Sequence, residues 1–236
     1  VQIKNGAVAS AILDEKWDMK GQEMISKPKK PVAFTQLIEF HGMQGIRNWV
    51  HELDQRNLSA LINVQESILQ DNAAEFKILA DRGYEIAGGY HMEPFWDVNY
   101  SFQFEKMKEA KDLVENITGK PMRVFGSRYF AYDNTTLQVA DELGVEYILA
   151  RGTDDVEAVI YKPEEYDVNI ISVSNVEFET MGRGSLCDYS LWARGATAEE
   201  LREKLQYALN KSPQRLMVVS HAYLGGLKES WWDAYE

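Results

Sequence analysis

From Pro31 to Ser220 the chain alternates short apolar runs with amphipathic, helix-spaced stretches, several of them closed by glycine or proline. That alternation constrains the fold more than any other feature. The apolar runs Val32–Thr35, Ser59–Val64, Glu85–Gly89, Arg123–Gly126, Val145–Ala150, Val168–Val173 and Leu216–Ser220 read as strands. Between them, Ile46–Leu53, Ala73–Arg82, Phe102–Ile117, the stretch from Asn134 or Thr135 to Leu143, and the stretch from Thr197 to about Asn210 carry helical spacing. Gly83, Gly119 and Gly144 are suited to end the helices before them. Thr197 with Glu200 three residues on reads as a capping box. Strands alternating with helices imply βαβ units and a parallel sheet. About seven such units in roughly 200 residues suit a closed or nearly closed (β/α) barrel better than an open sheet. Ala7–Leu13 reads as a further strand in an N-terminal appendage, residues 1–28, ahead of a barrel at 29–236.

Composition removes several classes of function. The 236 residues are 45% hydrophobic and 26% charged, an ordinary globular balance. No apolar run approaches the roughly 20 residues of a membrane-spanning helix. With 25 basic and 37 acidic side chains the net charge is −12, which repels nucleic-acid phosphates. Cys187 is the only cysteine, so neither a disulfide framework nor a cysteine-built structural zinc site is available.

In a (β/α) barrel the residues just after each strand form the active face. Those positions hold Gln36, Glu39 and His41; Gln65 and Glu66; Tyr90, His91 and Glu93; Arg128 and Tyr129; Arg151, Asp154 and Asp155; and His221 with Tyr223. A histidine beside an apolar run commonly serves structure, and Glu66 or Asp155 could simply cap the helix that follows. Convergence on one rim is what favours function. No Gly-x-Ser-x-Gly elbow, phosphate loop, dinucleotide fingerprint or His-Glu-x-x-His occurs.

The order of segments resembles the polysaccharide deacetylase family, the NodB-type homology domain of carbohydrate esterases. Lys29-Lys30-Pro31-Val32-Ala33-Phe34-Thr35-Gln36 is similar to its opening strand and Ser59–Val64 to its second. Ala80–Ala87 is similar to its third strand with the preceding helix end. Phe125–Tyr132 with Asn134–Leu137 and Ala140–Gly144 resembles its Arg-Pro-Pro-Tyr segment and following helix, and Val218–His221 its closing strand. The resemblance spans about residues 29–222 and implies a distorted barrel of about seven parallel strands.

It further implies a divalent metal on one Asp and two His, a second Asp activating water, and a last His protonating the leaving amine. Thr35 and Gln36 occupy the Asp positions here, Gly89 and Glu93 the His pair, and Gly126 the Arg position, with Arg128 two residues later. His221 matches directly, Tyr129 matches the segment's aromatic, and Asp155 is similar to the acid that orients the Arg. A cation site needs converging donors, and Gly89 supplies none. A zinc-type site therefore requires His41, His91 and Glu93 to rebuild it; otherwise no cofactor is expected.

Three readings follow. The first is a divergent hydrolase of a carbon–nitrogen bond in an N-acyl sugar or small amide. His221 is its general acid, Glu93 or Glu66 its base, and Arg128 or Arg151 its oxyanion partner. Some relatives act on small cyclic amides without a metal, so metal loss need not end hydrolysis. The second is a non-catalytic carbohydrate-binding domain, with Tyr90, Phe95, Trp96, Tyr129, Trp231 and Trp232 available to stack on sugar rings. Its bland counterpart is that these aromatics pack the rim. The third is glycoside cleavage by paired carboxylates drawn from Glu39, Glu66 and Glu93. In the first two, Gln36, His41, Tyr90, His91, Arg128, Tyr129, Arg151, Asp155 and Trp96 line the substrate site. The resemblance also favours an extracellular or cell-envelope location.

Overall fold

The architecture rests on a six-stranded sheet whose strands read as nearly continuous apolar runs. A computed structural model of the protein describes residues 33–90, 92–96, 98–151, 155–227 and 231–235, the side chains of 33–42 aside. The strand expected at Ala7–Leu13 lies outside these residues. The chain forms two units, each described below by itself. One holds Asn57–Arg151 and Ile160–Ile171; the other holds the described parts of Ile12–Arg56, Gly152–Val159 and Ser172–Glu236.

In the first unit, β1 (Leu61–Gln65), β2 (Glu85–Tyr90), β3 (Val124–Ser127) and β4 (Tyr147–Ala150) pair in parallel, in that order. β6 (Asn169–Ser172) follows β4, and β5 (Ile160–Tyr161) pairs antiparallel with β6 at the edge. All of β3 and the middle of β2 are buried, as expected of parallel strands covered on both faces. The chain thus has the mixed α/β, mostly parallel architecture anticipated from its periodicity.

The helices of this unit are α2 (Glu66–Asp71), α3 (Ala73–Asp81), α4 (Tyr100–Thr118) and α5 (Asn134–Leu143). α4 buries Gln103, Met107, Ala110, Val114 and Thr118, a single stripe at helical spacing. A Cβ at Gly88 of β2 would meet Ala110 at 3.1 Å and the Met122 sulfur at 2.3 Å, so α4 and Met122 lie close only because this position is glycine. Asn99 caps α4 by accepting from Phe102 N at 2.9 Å. Asp133, rather than Asn134 or Thr135, caps α5: its carboxylate accepts from Thr136 N, and Thr136 Oγ1 accepts from Asp133 N. An aspartate outcompetes the residues after it because its carboxylate reaches the third helical N–H.

The second unit corrects the opening of the chain. The strand expected at Val32–Thr35 is absent from 33 onward, where α1 runs over Ala33–Gln55. Helical spacing already visible at Ile46 and Trp49 extends back through Met43, which is buried. Gln36, Glu39 and His41 therefore lie on a helix, not after a strand. The strand expected at Leu216–Ser220 also fails to form as a regular element. Its groups bond singly instead: Met217 with Ser174, and Val219 N with Leu186 O at 2.9 Å. Only a bridge to Cys187 remains.

Two elements escaped the periodicity. The hairpin β7 (Asn175–Phe178)–β8 (Gly182–Ser185) turns at Gly182, whose φ of 73° suits glycine. α6 (Asp188–Trp192) follows directly. α7 (Ala198–Asn210) starts at Thr197 as expected, but Glu200 completes no capping box; its carboxylate accepts from Thr180 N at 3.0 Å. Val176, Phe178, Leu186, Leu191, Leu201 and Leu224 form the core of this unit. Trp231 and Trp232 are buried, so their packing role prevails over a sugar-stacking one.

Candidate functional site

The best-formed polar arrangement lies in the second unit, where α6 begins beside the segment that carries His221. Cys187 and Val219 are bridged in parallel, and Asp188 N donates to Val219 O at 3.4 Å. These contacts bring residues 187–188 alongside 219–221. α1 supports the turn that follows: Trp49 Nε1 donates to Ser220 Oγ at 3.1 Å and Asn48 Nδ2 to Gly226 O at 2.8 Å. Any side chain at Gly45 would collide with the Ala222 carbonyl, its Cβ only 1.7 Å away.

The Asp188 side chain is wholly buried, while His221 keeps 31% of its side-chain surface exposed. A buried carboxylate is tolerated only when its lone pairs are used. Asp188 accepts from His221 N at 3.0 and 2.9 Å, Gly225 N at 2.9 Å, Tyr189 N at 2.7 Å and Ser220 Oγ at 3.3 Å. Its Oδ1 also lies 2.8 Å from His221 Nδ1. A carboxylate only accepts, so Nδ1 carries the proton and donates. Tyr189 and Tyr223 flank the ring, with centroids at 5.1 and 5.7 Å.

Burial alone would lower the pKa of this imidazole. The negative groups of Cys187 and Asp188, with their hydrogen bonds, outweigh it and raise the value to about 10. His221 is thus a cation across neutral pH, suited to deliver a proton. The buried phenols of Tyr223 and Tyr235 are pushed well up, first by burial and then by neighbouring negative charge, Asp188 included.

The sequence reading found His221 and missed Asp188. Its legible signal was a lone acid inside the apolar run Leu186–Leu191. Asp155 Oδ1 accepts from the adjacent Val156 N at 2.7 Å.

The first unit gathers several of the other expected residues at its strand ends. Glu66 opens α2 directly after β1, and Tyr90 ends β2. Glu66 Oε1 is buried with no hydrogen-bond partner among the described residues, as are Asn63 Oδ1 and Ser67 Oγ. Burial, then the charge of Glu109, raises the Glu66 pKa, with Lys106 opposing. Burial and then Glu93 raise that of Tyr90, to which Glu66 and Glu109 also add.

After β3, Arg128 donates to Met92 O at 2.7 Å and lies over the Tyr129 ring, 4.7 Å from its centroid. Arg151 Nε donates to Tyr129 O at 2.8 Å. Tyr129 and Phe130 have φ of 62° and 52°, a strained conformation for two consecutive aromatic residues. Glu93 is exposed and Trp96 half-buried, while Phe95 is fully buried. His91 and Asp154 lie outside the described residues, as do the side chains of Gln36, Glu39 and His41.

The family-type metal positions do not fit a cation. Gly89 within β2 offers no side chain, Glu93 stands on the surface, and residues 35 and 36 lie on α1. At the family's Arg position a Cβ on Gly126 would stand 2.9 Å from Asn63 Nδ2 and 3.0 Å from Leu149 Cδ1. Asn63 fills the space an arginine stem would need. Among the described residues, the group able to offer metal ligands is Cys187, Asp188 and His221.

A model of the family described as polysaccharide deacetylase matches residues 42–148. No curated protein matches. Among solved structures, PuuE allantoinase is similar with a TM-score of 0.63 at 14% identity, over 85% of this chain and 66% of that one. A probable polysaccharide deacetylase from Pseudomonas aeruginosa PAO1 gives 0.62 at 15% identity, over 85% and 67%. BA3943 from Bacillus anthracis, a CE4 family pseudoenzyme, gives 0.52 at 11% identity, over 77% and 51%. The chain thus spans just under two thirds of the allantoinase's length and about half of the pseudoenzyme's. At these identities the likeness is one of fold.

Proposed function

Because a model of the polysaccharide deacetylase family matches residues 42–148, we propose that the chain is a divergent hydrolase of a carbon–nitrogen bond. Its substrate class is an N-acyl carbohydrate or a related small amide. The observation that carries this reading is the Asp188–His221 pair: a buried carboxylate fixes Nδ1–H at 2.8 Å and leaves Nε2 to reach a substrate. Breaking an amide requires a proton for the departing amine, and an imidazolium retained to about pH 10 supplies it at neutral pH. No step is assigned to a metal at the family-type positions, because their residues do not offer the donors.

The similarity of fold to an allantoinase favours including small amides beside acetylated sugars. A second reading is a carbohydrate-binding protein without turnover, favoured by Gly89 at a ligand position and by the CE4 pseudoenzyme among the similar folds. Paired-carboxylate glycoside cleavage has less support, since Glu93 is exposed. Among the described residues no helix is long and apolar enough to cross a membrane.

Release of acetate from N-acetylated oligosaccharides, and of amine from small cyclic amides, tests the proposal. Turnover that disappears in His221→Ala, in a variant that still unfolds cooperatively, supports it. Sugar binding with no turnover on either substrate class favours the second reading.

A further inference from the structure

We propose that Cys187, Asp188 and His221 form a binding site for one thiophilic divalent cation, such as zinc or cobalt. It is separate from the family-type positions at Thr35, Gln36, Gly89 and Glu93. The ligand atoms of the three residues all lie within 4.8 Å of one another. Cys187 Sγ stands 3.9 Å from His221 Nδ1, and Asp188 Oδ1 stands 2.8 Å from the same nitrogen.

Tetrahedral zinc, with bonds of about 2.3 Å to sulfur and 2.0 Å to nitrogen, spaces those two atoms about 3.5 Å apart. Sγ and Nδ1 must close from 3.9 Å by about 0.4 Å, and Oδ1 and Nδ1 must open from 2.8 Å to about 3.3 Å, as they do when an ion replaces the proton between them. One thiolate, one imidazole and one carboxylate make a mixed set that suits zinc or cobalt and not magnesium or calcium.

The scaffold holds these donors before any ion arrives. The Cys187–Val219 bridge and the 2.9 Å bond from Val219 N to Leu186 O fix the backbone on both sides. Gly225 N and Ser220 Oγ keep Asp188 Oδ2 in place, so Oδ1 can turn to the ion without freeing the carboxylate. With three protein ligands and His221 31% exposed, the fourth position falls to solvent. The ion takes the place of the Nδ1 proton, and Cys187 binds it as the thiolate. The site stands without the hydrolase reading, because it is read by binding.

Titration of the apoprotein with Co²⁺ tests the site. Cys187 is the only cysteine, so a thiolate-to-cobalt charge-transfer absorption can arise nowhere else. The expected result is one equivalent bound with that absorption, displaced by Zn²⁺. Cys187→Ser and Cys187→Ala should lose the absorption and bind at least tenfold more weakly, with thermal unfolding showing that each is folded. His221→Ala should keep a weakened absorption. Absence of the band in the unsubstituted protein, or equal Co²⁺ affinity in a folded Cys187 variant, would overturn the site.

Discussion

The polar clusters of the two units are opposite in state. In the second, Asp188 is wholly buried and its oxygens accept from several backbone and side-chain donors around His221. In the first, the buried oxygens of Asn63, Glu66 and Ser67 have no partner among the described residues, and Tyr129 and Phe130 are held in strained backbone. A satisfied network fixes one ring in one protonation state before any ligand arrives. An unsatisfied, strained set leaves bonding capacity that a ligand with donors can use. The contrast therefore separates a ring whose proton is fixed in place from a region with open bonding capacity.

The sharpest way to break that contrast is Asp188→Ala. It strands the donors of His221, Gly225 and Ser220, and should cost roughly 3–5 kcal/mol, the usual range for removing one partner of a buried charged pair. Urea unfolding measures it, and a loss under 1 kcal/mol would mean the network is not closed. His221→Ala should reduce amide hydrolysis about 10²–10⁴-fold, the range for one acid–base group, measured on protein shown to unfold cooperatively.

Next comes Gly126→Ala in the first unit, which forces Asn63 or Leu149 to move and should cost about 1–2 kcal/mol. The cost should shrink when Asn63→Ala is added. The smallest effect belongs to Glu66→Gln. A carboxylate whose folded pKa is raised contributes stability below its unfolded value and loses it as pH climbs through the folded one. The glutamine variant should therefore unfold at a slightly higher temperature at neutral pH and flatten that dependence between pH 4 and 7, roughly the carboxylate range. An unchanged pH profile would remove Glu66 from the comparison.

Much of the first unit was legible because parallel strands buried on both faces read as apolar runs, and because Gly83, Gly119 and Gly144 end their helices at positive φ. α1 was misread because Val32–Thr35, seen alone, has strand-like apolar character, whereas Ala33–Thr35 open a 23-residue helix. The β7–β8 hairpin escaped because its strands are short and one contains Gly182 and Gly184. His221 stood out at the end of an apolar run, although that run keeps only a single bridge. Asp188 did not: its one signal was to stand as a lone acid within Leu186–Leu191, and its role comes from burial, which only packing creates.

An NMR titration of the His221 ring nitrogens reaches the account's core, that Cys187 and Asp188 together set the charge of this imidazole. The imidazolium should persist to about pH 10 and revert toward 6.5 in Asp188→Asn. Because the folded value is the higher one, the stability it contributes is complete below pH 6.5 and lost as pH rises through about 10. A ring that titrates near 6.5 in both proteins would contradict the account.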